Sequence, residues 1–463
     1  MKKSIGIILL IAIFVSITPV SARATFQTSI APGTWASSIN IQNPTNPTNA
    51  SATVTLTFYD STGIKVLEFT VAPPIPAGGS RSLYVPADIG GLSSGQFSVV
   101  ARSDVDVNIV VNSSSTSPYT AGSYTGLKAD GDIGTALYYP GLYNNYYGFS
   151  SEIVIQNTDI SFPANIQIQF FNQRTGAAVG PIITETVPGG SSKAFPLSEV
   201  GGLPTGNTNG LFSAKVTSTN GKSLAGIANI WTAALRGSFA DYNAFVDGAT
   251  STWVPALYKN YFGFVSSLTV QNIESTMANV TITYSNGVTV TTTLAPNQAA
   301  EFFQPNNPQL PSGNTQGVFS AKIVSDKKIV TLVNIEDKTR GLLASYNGAK
   351  NPSPTVLCPV VLKEFYQWFS AQTVQNVGTL ATNITITYAN GNTRAFNNIL
   401  PNGTVNIIEL NTTGSVLPSG SSLAATITSH NGQPLVAVVQ QNSNERNIAN
   451  PGDYLLSYTC ANQ

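Results

Sequence analysis

The feature that most constrains this chain is a short pattern that occurs four times at domain-sized intervals. In each copy an aromatic residue is followed eight positions later by the Asn of a Gln-Asn pair. The copies are Trp35–Asn43, Phe149–Asn157, Phe264–Asn272 and Trp368–Asn376. Successive Asn residues are 114, 115 and 104 residues apart, so each repeat is as long as a folded domain and far longer than a solenoid turn.

After each Gln-Asn pair, apolar and polar side chains alternate. This period of two predicts a β-strand with one face in a core and one face in water. The four stretches are Ala52–Tyr59, Ala164–Phe171, Ala278–Tyr284 and Thr382–Tyr388. Glycines suited to hairpin turns follow them at Gly63, Gly176, Gly287 and Gly391. Further along, each copy opens a strand with Phe-Ser or, in the fourth copy, Leu-Ala, and each ends on a strand that contains Tyr.

A repeat of this length with about seven short strands is typical of an immunoglobulin-like sandwich, and a jelly roll is the alternative. The sequence therefore predicts an all-β chain of four tandem immunoglobulin-like β-sandwich modules. The predicted modules are 25–134, 135–250, 251–354 and 355–463. The linkers between them are short and contain Pro or small residues, which predicts an elongated, rod-like array.

The first residues have the pattern of a signal peptide, predicted over residues 1–24. Lys2 and Lys3 precede the apolar run Ile5–Val15, which is too short to span a bilayer. Ala22-Arg23-Ala24 fits a cleavage site, so the mature chain is expected to begin at Thr25. The alternative is an uncleaved membrane anchor.

Cys358 and Cys460 are the only cysteines, and both belong to the fourth copy. They lie in its first and last predicted strands. An exported protein can keep a disulfide, so we predict a bridge that joins the two ends of module 4. Two buried thiols are the alternative.

The starts of copies two to four resemble the "P-x-x-x-K-N-Y-Y-G-W…V-Q-N" repeats of bacterial secreted and cell-surface proteins. The matching segments are Tyr139–Phe149, Val254–Phe264 and Cys358–Trp368. Copy one keeps Trp35 and the Gln-Asn pair but lacks the aromatic run, and copy four has Gln367 in place of the Gly. The resemblance implies an extracellular or cell-surface location and a β-sandwich repeat, and it implies no catalytic residues.

The residues that carry chemistry are few. Charged residues make up 10% of the chain with a net charge of +0, which argues against a nucleic-acid partner because that needs a basic surface. His430 is the only histidine, and the pairs Asp104/Asp106 and Asp130/Asp132 do not recur in the other copies. No nucleophile, metal-ligand or phosphate-binding motif is present, so we expect no enzyme, no cofactor and no metal site.

Aromatic residues cluster before the Gln-Asn strand of copies two to four. They are Tyr143, Tyr146, Tyr147, Tyr258, Tyr261, Phe262, Phe365 and Tyr366. Packing against the preceding module, contact with a partner subunit and stacking on sugar rings are all compatible with such residues. The sequence thus favours a non-catalytic surface rod, sheath or adhesion component, with a carbohydrate-binding protein as the alternative. The expected partners are other surface proteins, further copies of the chain or extracellular polysaccharide.

Overall fold

The computed structural model describes residues 5–9, 33–45, 48–116, 119–232, 237–443 and 452–463. Within these ranges almost all regular structure is antiparallel β-strand, as the sequence predicts. The helical segments are single turns, at Val85–Asp88, Leu197–Glu199, Gly206–Asn209, Gln304–Asn306 and Asn411–Thr413. None of the helices in the described ranges has the length and apolar character needed to cross a bilayer.

The strands fall into four successive groups. In module 1 they are Ile5–Leu9, Trp35–Gln42, Val54–Tyr59, Lys65–Thr70, Ser80–Tyr84, Ser98–Ser103, Asn108–Thr116, Tyr119–Thr125 and Leu127–Lys128. In module 2 they are Ala136–Tyr146, Phe149–Asn157, Ala164–Asn172, Ala178–Val187, Ser192–Pro196, Leu211–Ser218, Leu224–Thr232 and Phe239–Asn243. In module 3 they are Ala249–Tyr261, Phe264–Asn272, Ala278–Tyr284, Thr289–Leu294, Ala299–Phe303, Val318–Asp337 and Leu342–Asn347. In module 4 they are Thr355–Lys363, Trp368–Asn376, Thr382–Tyr388, Thr393–Ile399, Thr404–Ile408, Ser421–Ser429, Leu435–Ser443, Leu455–Thr459 and Ala461–Asn462.

Every module pairs its second strand with its fifth and its third with its sixth, which is the pairing of an immunoglobulin sandwich. The predicted fold class is confirmed. In modules 1 and 4 the two layers are separate sheets. In modules 2 and 3 the first strand is long and also pairs with the second, so the two layers join into one sheet.

A proline in the first strand explains two repeated features of modules 2 to 4. Pro140, Pro255 and Pro359 cannot donate a ladder hydrogen bond, and each lies within a register shift of its strand. The tyrosine of the last long strand occupies this gap. The hydroxyls of Tyr242, Tyr346 and Tyr458 donate to the carbonyls of Gly141, Ala256 and Val360, the residues that follow the prolines.

The Asn of each Gln-Asn pair is fully buried and closes the loop that follows its strand. The Asn376 side-chain amide donates to the carbonyls of Leu380 and Ile399, at 2.8 and 2.9 Å. Asn43, Asn157 and Asn272 make equivalent pairs of bonds. The repeated Asn is therefore a structural residue, because it satisfies backbone carbonyls where the strand pairing ends.

The predicted disulfide is confirmed. Cys358 lies in the first strand of module 4, and Cys460 lies directly after the strand Leu455–Thr459. The bridge closes a sequence separation of 102 residues and joins the beginning of the module to its end. It also lies within the module's apolar core.

The modules close into a ring, and in this respect the predicted elongated array is wrong. A serine near the start of the sixth strand makes the same contact with the next module in successive copies. Ser213 Oγ donates to the carbonyl of Asn297 in module 3, at 2.9 Å, and Ser320 Oγ donates to the carbonyl of Asn402 in module 4, at 3.1 Å. Ser98 donates to the carbonyl of Gly190 in module 2 in the same way. Module 4 then meets module 1, where Ser80 Oγ accepts from the Ala424 amide at 3.0 Å.

The last long strands of the four modules meet along the axis of the ring. We call Tyr119–Thr125, Phe239–Asn243, Leu342–Asn347 and Leu455–Thr459 the axial strands. Each contacts the axial strand of the next module, and the fourth contacts the first. Side chains link them in sequence, since Asn243 donates to the Thr125 carbonyl at 2.7 Å and Asn347 donates to the Asn243 carbonyl at 2.8 Å. The short linkers thus turn the chain around an axis instead of extending it.

The predicted signal peptide falls largely outside the described residues, and this includes the cleavage site at Ala22–Ala24. The segment Ile5–Leu9 is described and forms the first strand of module 1. It pairs with Ser98–Ser103 on one side and with Leu127–Lys128 on the other.

Candidate ligand grooves at the module junctions

The aromatic runs form tight hairpins between the first and second strands. Tyr146 pairs with Phe149, so Tyr147 and Gly148 are the two loop residues, with φ of 49° and 84°. Positive φ at both positions is the requirement of a type I′ turn. Phe262-Gly263 and Tyr366-Gln367 form the equivalent loops.

The first loop residue of each hairpin projects into solvent. The exposed fractions of Tyr147, Phe262 and Tyr366 are 64%, 57% and 80%. We call these three residues the aromatic tips. Two of the tips are held in place through their backbone, because the Tyr147 amide donates to Asn207 Oδ1 at 2.7 Å and the Phe262 amide donates to Asn314 Oδ1 at 2.8 Å.

The first aromatic of the run in modules 2 and 3 is buried against the following module, whereas packing against the preceding module was one of the alternatives that the sequence left open. Tyr143 Oη accepts a hydrogen bond from Asn334 Nδ2 of module 3 at 2.8 Å. Tyr258 Oη donates to Gln440 Oε1 of module 4 at 3.0 Å. In module 4 the equivalent position is held by Leu362. Its amide donates a hydrogen bond to Ser370 Oγ, and the amides of Tyr143 and Tyr258 donate in the same way to Ser151 Oγ and Ser266 Oγ.

In modules 2 and 3 the second aromatic of the run stacks on the first and forms one wall of a groove. Tyr143 and Tyr146 stack with ring centroids 6.1 Å apart, and Tyr258 and Tyr261 do so at 5.7 Å. Arg174 lies over the Tyr146 ring and donates to its hydroxyl at 3.1 Å. In module 4, Phe365 is half-buried at the edge of the core and packs edge-on against Tyr366.

Groove 2/3 lies between modules 2 and 3 and has a volume of about 320 Å³. Module 2 contributes the aromatic wall, and module 3 contributes polar groups that the sequence did not single out. The polar lining consists of Ser267, Glu301, Asn306, Asn334, Glu336 and Lys338. Burial raises the pKa of both Glu301 and Glu336 above its ordinary value.

Groove 3/4 lies between modules 3 and 4 and has a volume of about 410 Å³. It is built from equivalent strands, but its polar groups differ. Strand register places Asn406 where groove 2/3 has Glu301, and Asn442 where it has Glu336. One groove is therefore lined by carboxyl groups and the other by amides, with aromatic rings in both.

The remaining candidates have structural roles. His430 lies in a turn, with Nε2 hydrogen-bonded to Thr385 at 2.7 Å. Asp104 accepts from the Thr53 amide, Asp106 pairs with Lys128, and Asp132 accepts from the Lys128 amide. The described residues contain no group of three or more His, Cys, Asp or Glu that could hold a metal ion.

Sequence reasoning found the aromatic wall of each groove and missed the opposite wall. Glu301, Glu336, Asn406 and Asn442 belong to the next module along the chain, and they approach the tyrosines only because the ring brings the modules side by side. One sequence feature could have indicated contact between modules, namely the serine repeated near the start of the sixth strand. This polar residue is buried in three copies.

No family model and no curated protein matches the chain. Among solved structures, Thermotoga maritima 1070 is 18% identical, and the match covers 22% of this chain and 96% of that one with a TM-score of 0.20. A tetra-tandem repeat from the extending region of a large adhesion protein is 15% identical over 91% and 93% of the two chains, with a TM-score of 0.12. The BSP domain of a biofilm-associated protein is 9% identical over 92% and 90%, with a TM-score of 0.15.

Proposed function

We propose that this chain is an exported, non-catalytic structural or adhesion protein of the bacterial cell surface. The observation that carries the proposal is the display of aromatic tips on a closed ring of modules. Tyr147, Phe262 and Tyr366 occupy equivalent hairpin positions in three successive modules, and all three are exposed. An exposed tyrosine or phenylalanine supplies a large contact area at low entropic cost, and aromatic residues dominate binding energy at many interfaces.

Several further features support a structural role. The serine repeated in the sixth strand of three modules connects each of them to the next module. The disulfide suits an oxidising compartment outside the cytoplasm. Three contact points on one rigid body also strengthen attachment by multivalency without any single tight site.

Replacing the aromatic tips is expected to abolish most adhesion. Beads coated with the chain that begins at Thr25 would be tested for attachment to bacterial cells and to one another under flow. Loss of a contact worth about 1–2 kcal/mol at each tip predicts at least a tenfold fall in retained beads for the triple variant Tyr147→Ser, Phe262→Ser, Tyr366→Ser.

The matched control replaces three apolar residues that are equally exposed but lie away from the hairpins. Ile64, Met277 and Leu380 have exposed fractions of 63%, 61% and 62%. The triple serine variant at these positions should retain as many beads as the parent chain. An equal fall in both triple variants would show that adhesion depends on general surface hydrophobicity and would refute a role for the tips.

Carbohydrate binding is the second candidate, and the two grooves favour it. Aromatic faces beside amide or carboxyl groups suit the apolar face and the hydroxyls of a sugar ring. On a glycan array we expect binding that is lost on Tyr146→Ala and Tyr261→Ala and kept in the triple serine variant at Ile64, Met277 and Leu380, which lie outside both grooves. An array without reproducible binding would remove this candidate and leave the adhesion proposal intact.

A further inference from the structure

The first-strand position of module 1 differs from that of the other modules. In modules 2 and 3 the first strand is tied to the second by the two-residue hairpin loop described above. In module 1 the position is held by Ile5–Leu9, and 25 residues separate Leu9 from Trp35. The strand therefore enters the sandwich as a nearly independent piece of chain.

Strand register identifies the equivalent residues. Leu137, Thr252 and Val356 lie opposite Val216, Ile323 and Ile427 in the middle of the sixth strand, and Ile7 lies opposite Ala101 in the same place. The side chains at this position in modules 2 to 4 are buried. In those modules the residue precedes the aromatic of the second strand by 12 positions.

In module 1 the spacing of 12 positions before the aromatic of the second strand leads to a residue that does not suit a buried first-strand position. Twelve positions before Trp35 is Arg23, followed by Ala24. Burying an unpaired guanidinium is strongly unfavourable, so the segment next to Trp35 is a poor first strand in this register. The apolar run at Ile5–Leu9 occupies the position instead.

The consequence rests on the proposed export with cleavage after Ala24. Removal of the leader takes Ile5–Leu9 with it and leaves the sixth strand Ser98–Ser103 and the short strand Leu127–Lys128 without the strand between them. Backbone groups that paired with the leader then face an open slot above the core of module 1. An unpaired sheet edge beside exposed apolar residues is a template for an added strand.

We propose that module 1 of the exported chain is a strand acceptor, whose occupant is an extended segment of a partner polypeptide with apolar residues at alternate positions. The leader occupies the slot in the precursor and defines the chemistry of this occupant. The partner strand runs antiparallel to Ser98–Ser103 and to Leu127–Lys128, with an apolar or threonine side chain at the position of Ile7. Threonine is compatible because Thr252 fills that position in module 3.

The test uses the chain that begins at Thr25 and a synthetic peptide of residues 2–10. We expect hydrogen exchange to be fast in this chain at those amides of Ser98–Ser103 that point toward the slot, and to slow at least tenfold when the peptide is added; the alternate amides stay paired with Val54–Tyr59. The Ile7→Thr peptide should bind like the parent peptide, and the Ile7→Arg peptide at least tenfold more weakly. A Leu9→Cys peptide should form a disulfide with a Val99→Cys chain and not with a Ser103→Cys chain, because Leu9 pairs with Val99.

Two results would overturn the proposal. One is slow exchange at the slot-facing amides of Ser98–Ser103 in the chain that begins at Thr25 without peptide, which would mean that the chain fills its own slot. The other is equal binding of the Ile7→Arg and parent peptides. Failure of the proposed export can be distinguished from failure of the strand-acceptor proposal. N-terminal sequencing of protein secreted by a bacterial host reports leader cleavage and does not depend on peptide binding.

Discussion

Replacing Asp453 with alanine is expected to loosen the ring more than any other single change near its axis. Asp453 is buried at the end of the axial strands, and its carboxylate accepts from modules 2, 3 and 4. Oδ2 accepts from the amides of Phe239 and Leu343, both at 2.9 Å, and Oδ1 accepts from the amide of Leu455 at 3.1 Å. Its own amide donates to the Tyr119 carbonyl of module 1 at 2.7 Å.

The expected effect follows from the donors that the alanine variant leaves behind. A buried N–H without an acceptor costs about 1–3 kcal/mol, and three are affected, so the free energy of unfolding should fall by several kcal/mol. Hydrogen exchange gives the local readout: the amides of Phe239 and Leu343 should exchange faster, while the Ala349 amide, which pairs with Trp253 within module 3, should not change.

Asp60→Ala is the matched control. Asp60 Oδ1 also accepts from two amides, those of Thr62 and Ile64, at 2.9 and 3.0 Å. It lies in a hairpin turn of module 1 where water can replace the lost acceptor, so the change should cost less than about 1 kcal/mol. An Asp453→Ala variant that unfolds at the same denaturant concentration as Asp60→Ala would contradict the role assigned to Asp453.

The second large effect is a loss of stability as the pH rises from about 4 to about 8. Glu152 and Asp241 are buried on either side of Asn229, on adjacent strands of module 2 that face module 1. Burial raises the pKa of each carboxyl group to about 8. Asn229 donates to Glu152 Oε1 at 2.8 Å, which only partly offsets the cost of burying the charge.

The direction of this pH effect on the free energy of unfolding follows from proton binding. Between about pH 4 and pH 8 the two carboxyl groups are ionised in the unfolded chain and protonated in the folded chain. The folded chain binds more protons, so rising pH lowers the free energy of unfolding, by up to about 1.4 kcal/mol per pH unit for each group. Below about pH 4 both states hold the protons, and above about pH 8 the full penalty is present.

Urea unfolding between pH 4.5 and 8.5 checks this prediction. The double variant Glu152→Gln, Asp241→Asn removes both titrations, so its unfolding midpoint should fall less steeply with pH than that of the parent chain and should exceed it at pH 8. The slope that remains comes from groups such as Glu301 and Glu336, whose pKa burial also raises. Glu68→Gln removes a carboxyl group from the exposed pair with Lys65 and should leave the slope unchanged. A double variant with the parent slope would show that other groups cause the pH dependence.

Much of each module could be predicted because its determinants are local. The period of two at Thr382–Tyr388 appears in the structure as a buried row formed by Ile384, Ile386 and Tyr388. Gly391 lies in the hairpin turn that its position predicts, with φ of 85°. The two cysteines could be paired because the copies show which strands begin and end a module. Each of these features depends on neighbours in sequence or on comparison between copies.

Only the aromatic wall of each groove could be predicted from the sequence. The aromatic run identified Tyr143, Tyr146, Tyr258 and Tyr261, since hairpin chemistry and residue type are visible in sequence. Their partners are far along the chain: Tyr143 meets Asn334, and Tyr258 meets Gln440. No spacing rule connects such pairs, because their approach depends on the angle between whole modules.

The sequence by itself determined the fold class, the repeat, the disulfide and the residues that shape each hairpin, because strand periodicity, turn preference and repetition are properties of short segments. Only the tertiary structure decided that the modules form a ring and that aromatic residues face the following module. It also decided that Asp453 joins the axial strands. A short linker limits the distance between modules but not their angle. That angle is set by long-range contacts such as those of Ser213 with Asn297 and of Ala424 with Ser80.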